Sequence, residues 1–104
     1  MSAGTFTYTL ALEADDGTVW SAEETLSALR DGFTICGADV FSLTSGHGID
    51  TATDEAEAIV IVQGFATDLN AIFQFGAGFA DARKQRGFGW FTSTDSYIDT
   101  KEAI

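Results

Sequence analysis

Between residues 5 and 12 apolar and polar side chains alternate: Phe6, Tyr8, Leu10 and Leu12 are separated by Thr7, Thr9 and Ala11. A period of two sends the two sets to opposite faces, so this segment predicts a half-buried β-strand. Asp15-Asp16-Gly17 marks a turn. The period then changes. Ala22, Leu26, Leu29 and Phe33 recur at helical spacing, Ser21 and Glu24 form a capping box, and Gly32 is the expected C-terminal cap. A second strand is predicted over residues 38–44, ending at Ser45-Gly46-His47-Gly48, and a polar acidic connection follows over residues 50–57. Ala58-Ile59-Val60-Ile61-Val62 is apolar without a break, the pattern of a strand buried on both faces, and Gly64 closes it. Thr67 or Asp68 can cap a second helix through Leu69, Ile72, Phe73, Gly76, Phe79, Ala80 and Arg83. Gly76 and Gly78 weaken that helix by about 1 kcal/mol each relative to alanine, which suits a helix that approaches the sheet closely. Gly87 ends it, residues 88–92 form a fourth strand, and residues 95–104 add a short strand or a mobile tail.

The predicted order is β-α-β-β-α-β, a single α+β domain over residues 1–104. That order gives a ferredoxin-like fold: an antiparallel sheet with two helices on one face and the first and third strands central. The third strand is apolar on both faces, and the fourth carries Phe88, Trp90 and Phe91. An open face this apolar is too large a patch to leave in water, so self-association into a homo-oligomer is expected.

Composition supports a packed core, at 45% hydrophobic and 12% aromatic residues. Charge narrows the partners. Sixteen acids against five Lys and Arg give a formal net charge of −11. Phosphate contacts need cations, so direct nucleic-acid binding and an anionic membrane surface are both disfavoured. The acidity fits solvation, adaptation to high salt, or a decoy whose carboxylates stand where nucleic-acid phosphates would. The single cysteine, Cys36, excludes an internal disulfide and suits a buried, inert thiol. No basic-then-apolar leader and no run of about 18 apolar residues is present, so a cytoplasmic protein is expected.

Three segments carry candidate chemistry. Gly46-His47-Gly48 places the one histidine between glycines, where the backbone can approach a ligand; a solvated hairpin loop gives the same pattern. Arg83, Lys84 and Arg86 precede Gly87 and Gly89, and such a cluster can hold a phosphate or carboxylate or simply complement a helix C-terminus. Asp50, Asp54, Glu55 and Glu57 form an acidic stretch that lacks the spacing of a calcium loop. It reads as a solvated loop or a docking edge for a basic protein partner. Trp20 and Trp90 suit packing as well as stacking on a ligand. No nucleophile is paired with a base by spacing, so no catalytic residue, metal or cofactor is assigned and a non-enzymatic protein is expected.

Gly37-Ala38-Asp39-Val40, Ser45-Gly46-His47-Gly48 and Arg86-Gly87-Phe88-Gly89-Trp90-Phe91 together resemble segments of the PII signal-transduction proteins and their PII-like relatives. The resemblance implies a trimer of ferredoxin-like subunits with small ligands held between them. It implies the fold and the trimer more than ATP binding, because Phe88 and Trp90 stand where that family's motif has Asp and Lys. The expectation is a non-enzymatic regulatory or binding module that recognises a small molecule or a protein partner. The alternative is a small acidic inhibitor of viral origin that mimics nucleic acid to block a host protein.

Overall fold

The computed structural model describes residues 3–92 and 97–104. The chain runs β1 (Gly4–Ala11), α1 (Ala22–Ile35), β2 (Ala38–Asp50), β3 (Glu55–Ala66), α2 (Leu69–Ala82), β4 (Gly87–Phe91), β5 (Tyr97–Asp99) and a one-turn α3 (Thr100–Ala103). The sheet order is β2-β3-β1-β4-β5, and all neighbours are antiparallel. The expected β-α-β-β-α-β core is present, ferredoxin-like, with β1 and β3 inside the sheet. Within the tail, residues 97–99 extend the sheet by pairing with β4, and residues 95 and 96 lie outside the described ones.

The alternation in β1 sets the layers. Phe6, Tyr8 and Leu10 point under the helices and are buried, while Thr5, Thr7 and Thr9 face the open side. In α1, Ser21 caps the helix by accepting from the Glu24 amide at 3.3 Å, and Leu29 and Phe33 enter the core. In α2, Asp68 is the cap, accepting from the Ala71 amide at 3.2 Å. Tyr8 joins strand to helix: its hydroxyl donates to the Gly76 carbonyl at 2.8 Å. An added Cβ at Gly76 would stand 2.7 Å from Tyr8 Cε1. Burial, opposed in small part by Arg83, pushes the Tyr8 phenol far above its ordinary pKa, so it stays a donor.

Several boundaries differ from expectation. Helix α1 passes through Gly32 to Ile35, with Cys36 as C-cap and Gly37 at φ 92° beyond it. Gly32 serves packing instead, because a Cβ there would overlap the Phe75 ring. The acidic connection predicted over residues 50–57 shrinks to a turn over residues 51–54, with Asp50 ending β2 and Glu55 opening β3. β2 and β3 pair continuously from Gly46↔Ile59 to Asp50↔Glu55, and the chain reverses through Asp54 at φ 57°. Gly64 lies within β3 rather than at its end. Phe88 and Trp90 share one face of β4 and both pack under α2, 5.7 and 5.4 Å from Phe73. The open face therefore carries Val40, Ile59, Ile61, Phe65 and Phe91 among threonines and serines. An expectation of self-association rests on those residues and not on the Phe88 and Trp90 rings.

Two helical glycines should respond oppositely to alanine. Gly78 has nothing within 4 Å of an added Cβ, so Gly78→Ala should raise stability by about 0.5–1 kcal/mol through helix propensity. Gly32→Ala must displace Phe75 from the core and should lower stability by about 1–3 kcal/mol. Thermal denaturation of the two variants checks both signs.

Candidate functional site

A groove of about 610 Å³ opens on the helix-free face of the sheet, beyond the end of β1. That lies within the range of roughly 300–1,000 Å³ occupied by small-molecule sites. Thr9 and Ala11 of β1, Ile59 of β3 and Gly89 of β4 make its floor. Gly89 has no room for a side chain, since a Cβ there would overlap the Thr9 hydroxyl. Gly48 and Glu57, paired across the β2–β3 arm, form one side. Asp15, Gln85, Arg86 and Gly87 form the other.

The chain between α2 and β4 is tied closely to the turn after β1. The Asp15 amide donates to the Lys84 carbonyl at 3.0 Å. Gln85, nearly buried, donates from Nε2 to the Ala11 carbonyl at 2.8 Å. Arg86 Nη2 donates to Asp15 Oδ1 at 2.7 Å, and Lys84 Nζ lies 3.2 Å from Asp16 Oδ2. Asp16 also accepts from the Thr18 amide at 3.0 Å. The Thr18 backbone and side-chain donors, with Lys84 adding to them, hold the Asp16 carboxyl at about 2, below its usual 3.8.

Among the described residues, three acids, Glu13, Asp15 and Glu57, line the groove with one cation, Arg86. Two of the acids, Glu13 and Glu57, lie beyond the end of the β1–β3 pairing. β1 and β3 pair through Ala11↔Ile59, and the Leu12 amide donates to the Ala58 carbonyl at 3.0 Å. The ladder ends there, and Glu13, two residues past Ala11, bridges to Val19, so Glu13 and Glu57 share the groove lining without pairing across strands. Both also line a smaller hollow of about 290 Å³ beside the arm. Two carboxylates lining one groove make it attractive to a cation. Asp15 is already neutralised by Arg86, so the unopposed field in the groove comes from Glu13 and Glu57.

Of the predicted site residues, the groove gathers Gly48, Glu57, Arg86, Gly87 and Gly89. Gly46 and His47 lie on β2 outside its lining, His47 exposed and paired in register with Ala58. Arg83 is held elsewhere, its guanidinium 4.4 Å from the Trp20 ring centre and 4.8 Å from that of Phe79, donating to Thr25 Oγ1 at 3.0 Å. Lys84 is engaged by Asp16, so the predicted cation cluster is split among three separate jobs. Asp54 is in the hairpin turn and Glu55 borders the smaller hollow. Asp50 ends β2, and its side chain lies outside the described residues. Trp20 donates from its indole to the Arg83 carbonyl at 3.2 Å, and Trp90 stacks on Phe6 in the core. Sequence patterns pass over Glu13, Asp15 and Gln85, because only strand register brings them to Glu57 and Arg86.

The fold and groove define a ferredoxin-like domain with an anionic groove on its open sheet face. No family model matches the chain, and no curated protein does. Two solved structures share its fold. A phage SAM lyase in complex with S-methyl-5'-thioadenosine superposes with a TM-score of 0.61 at 12% identity, covering 94% of this chain and 90% of that one. A phage SAM lyase in the apo state gives a TM-score of 0.65 at 14% identity, covering 94% and 89%. The likeness is one of fold, and it corrects the non-enzymatic expectation: the structures that share this architecture are those of an enzyme. The missing nucleophile–base pair is a poor guide, because a lyase can break a bond without an enzyme nucleophile. The phage source of these neighbours accords with the viral side of the acidic-inhibitor alternative.

The Asp16 carboxylate should titrate near pH 2 in a carbon-detected NMR experiment. Lys84→Met should raise that midpoint only in part, since the Thr18 donors come first among its causes. A depressed folded pKa contributes stability above about pH 4, and this contribution should disappear as pH falls through 2.

Proposed function

We propose that this chain is a lyase acting on S-adenosylmethionine, with the anionic groove on the open sheet face as its substrate site. The observation that carries the proposal is a groove of substrate size lined by the carboxylates of Glu13 and Glu57, on a fold shared along 94% of the chain with a phage SAM lyase. S-Adenosylmethionine bears a sulfonium and an ammonium against one carboxylate, a net charge of +1. Two carboxylates lining one groove favour such a cation. The acidity of the whole chain, −11, attracts the same charge at long range.

The chemistry fits the site's residue types. The bond between sulfur and the amino-acid side chain breaks, its electron pair passing to sulfur, which leaves as the neutral thioether S-methyl-5'-thioadenosine. No water is consumed. The four-carbon fragment compensates in one of two ways. It gives its β-proton to a groove carboxylate or water, whose lone pair takes it up as the C–H pair becomes the new double bond. Or its own carboxylate attacks the carbon that sulfur leaves, closing a lactone. The enzyme's part is then to orient the substrate and supply electrostatic surroundings, which needs no serine, cysteine or metal. Gly48, Gly87 and Gly89 leave room for the flat adenosine portion against the sheet.

Incubation of the purified chain with S-adenosylmethionine should release S-methyl-5'-thioadenosine, read by chromatography. Glu57→Gln should lower kcat/KM by about 10- to 100-fold, the loss expected for one charge-assisted contact, while leaving the melting temperature within a few degrees. Absence of turnover together with absence of any thermal shift by S-methyl-5'-thioadenosine sinks the proposal.

A further inference from the structure

We infer that Arg86 is the specificity-determining residue that recognises the α-carboxylate of an amino-acid-bearing nucleoside ligand, exchanging its partner Asp15 for that carboxylate on binding. The inference rests on the lyase reading and adds to it a direction for the substrate and a basis for rejecting ligands that lack the amino-acid end.

Arg86 is the one cation among the described residues that line the groove, against three acids. Its backbone is fixed on both sides. The preceding residue, Gln85, is anchored to the Ala11 carbonyl at 2.8 Å, and the Arg86 carbonyl itself accepts from the Thr100 amide at 3.0 Å. The side chain is 75% exposed, and that of its partner Asp15 is 54% exposed. An ion pair that open contributes little to stability, so its rupture costs little. A guanidinium also offers five donors in a plane, a geometry suited to two-pronged contact with an incoming carboxylate.

The sheet geometry gives the direction. Arg86 lies on the β4 side of β1, and Glu57 lies on the β3 side. With β1 between them, β3 and β4 lie two spacings or roughly 9.6 Å apart, and Arg86 and Glu57 both line the groove across that gap. A carboxylate held at Arg86 thus leaves the rest of the substrate to extend across the groove toward the acids Glu13 and Glu57. The adenosine portion carries no charge and makes no demand on Arg86. In this arrangement Asp15 acts as a placeholder that keeps the guanidinium aimed along the rim while the groove is empty.

The test uses two ligands that lack the cleavable sulfonium. S-Adenosylhomocysteine retains the amino-acid end, and S-methyl-5'-thioadenosine does not have it. Calorimetric titration of the full chain should show Arg86→Gln weakening S-adenosylhomocysteine by about 10- to 100-fold while S-methyl-5'-thioadenosine changes less than about twofold. Arg86→Lys should recover part of the loss, because a point charge replaces a fork. Asp15→Asn removes the carboxylate 2.7 Å from Arg86 Nη2 and keeps the cation, so it should hold or tighten S-adenosylhomocysteine. If Arg86→Gln weakens both ligands alike or neither, the inference is overturned while the lyase reading stands. It is overturned equally if Asp15→Asn weakens S-adenosylhomocysteine as much as Arg86→Gln does, because the ion pair's structural role would then account for the effect. A wild-type chain that binds neither ligand and releases no thioether from S-adenosylmethionine overturns both.

Discussion

The molecule depends on a tyrosine lodged where strand and helix meet. Tyr8 is fully buried, its ring edge-on to Phe33 at 5.6 Å and its hydroxyl on the Gly76 carbonyl. The phenol can be buried because it has a partner, and the helix can come near enough because Gly76 has no side chain. That contact sets the height and rotation of α2 over the sheet. It thereby sets where the chain leaves the helix, through Lys84 in the left-handed region at φ 58°. Gln85 and Arg86 follow at once and are delivered to the end of β1. Packing in the core is in this way transmitted to the rim of the groove, with Trp20, Arg83 and Phe79 stacked as the intervening wall.

Local pattern makes most of the fold legible. The two-residue period of β1 and the Ser21 cap report interactions between residues close in sequence, and so both elements stand where the pattern puts them. Boundaries shift where a residue type has two uses. Gly32 reads as a helix end, yet it accommodates Phe75 from another helix, and nothing local distinguishes the two. The stretch from Asp50 to Glu57 reads as a loop because it is polar. Only residues 51–54 turn, and the flanking acids belong to strand because the β2–β3 arm projects where both faces meet water, so no apolar alternation is required.

The site is legible only in fragments. Gly48, Glu57, Arg86, Gly87 and Gly89 stand out as residue types suited to a ligand. Their assembly with Glu13 and Asp15 is a matter of register between β1 and β3, which pairs residues more than forty positions apart. Arg83, Lys84 and Arg86 look like one cluster because they are near in sequence. The end of a helix turns successive side chains in different directions, and each of the three meets a different partner. The expectation against catalysis rests on the lack of a paired nucleophile, and chemistry that relies on orientation and field leaves no such mark in a sequence.

The acids that line the groove have one more consequence. A hollow bordered by carboxylates holds a positive occupant by field alone, and that hold weakens for any occupant that carries no charge.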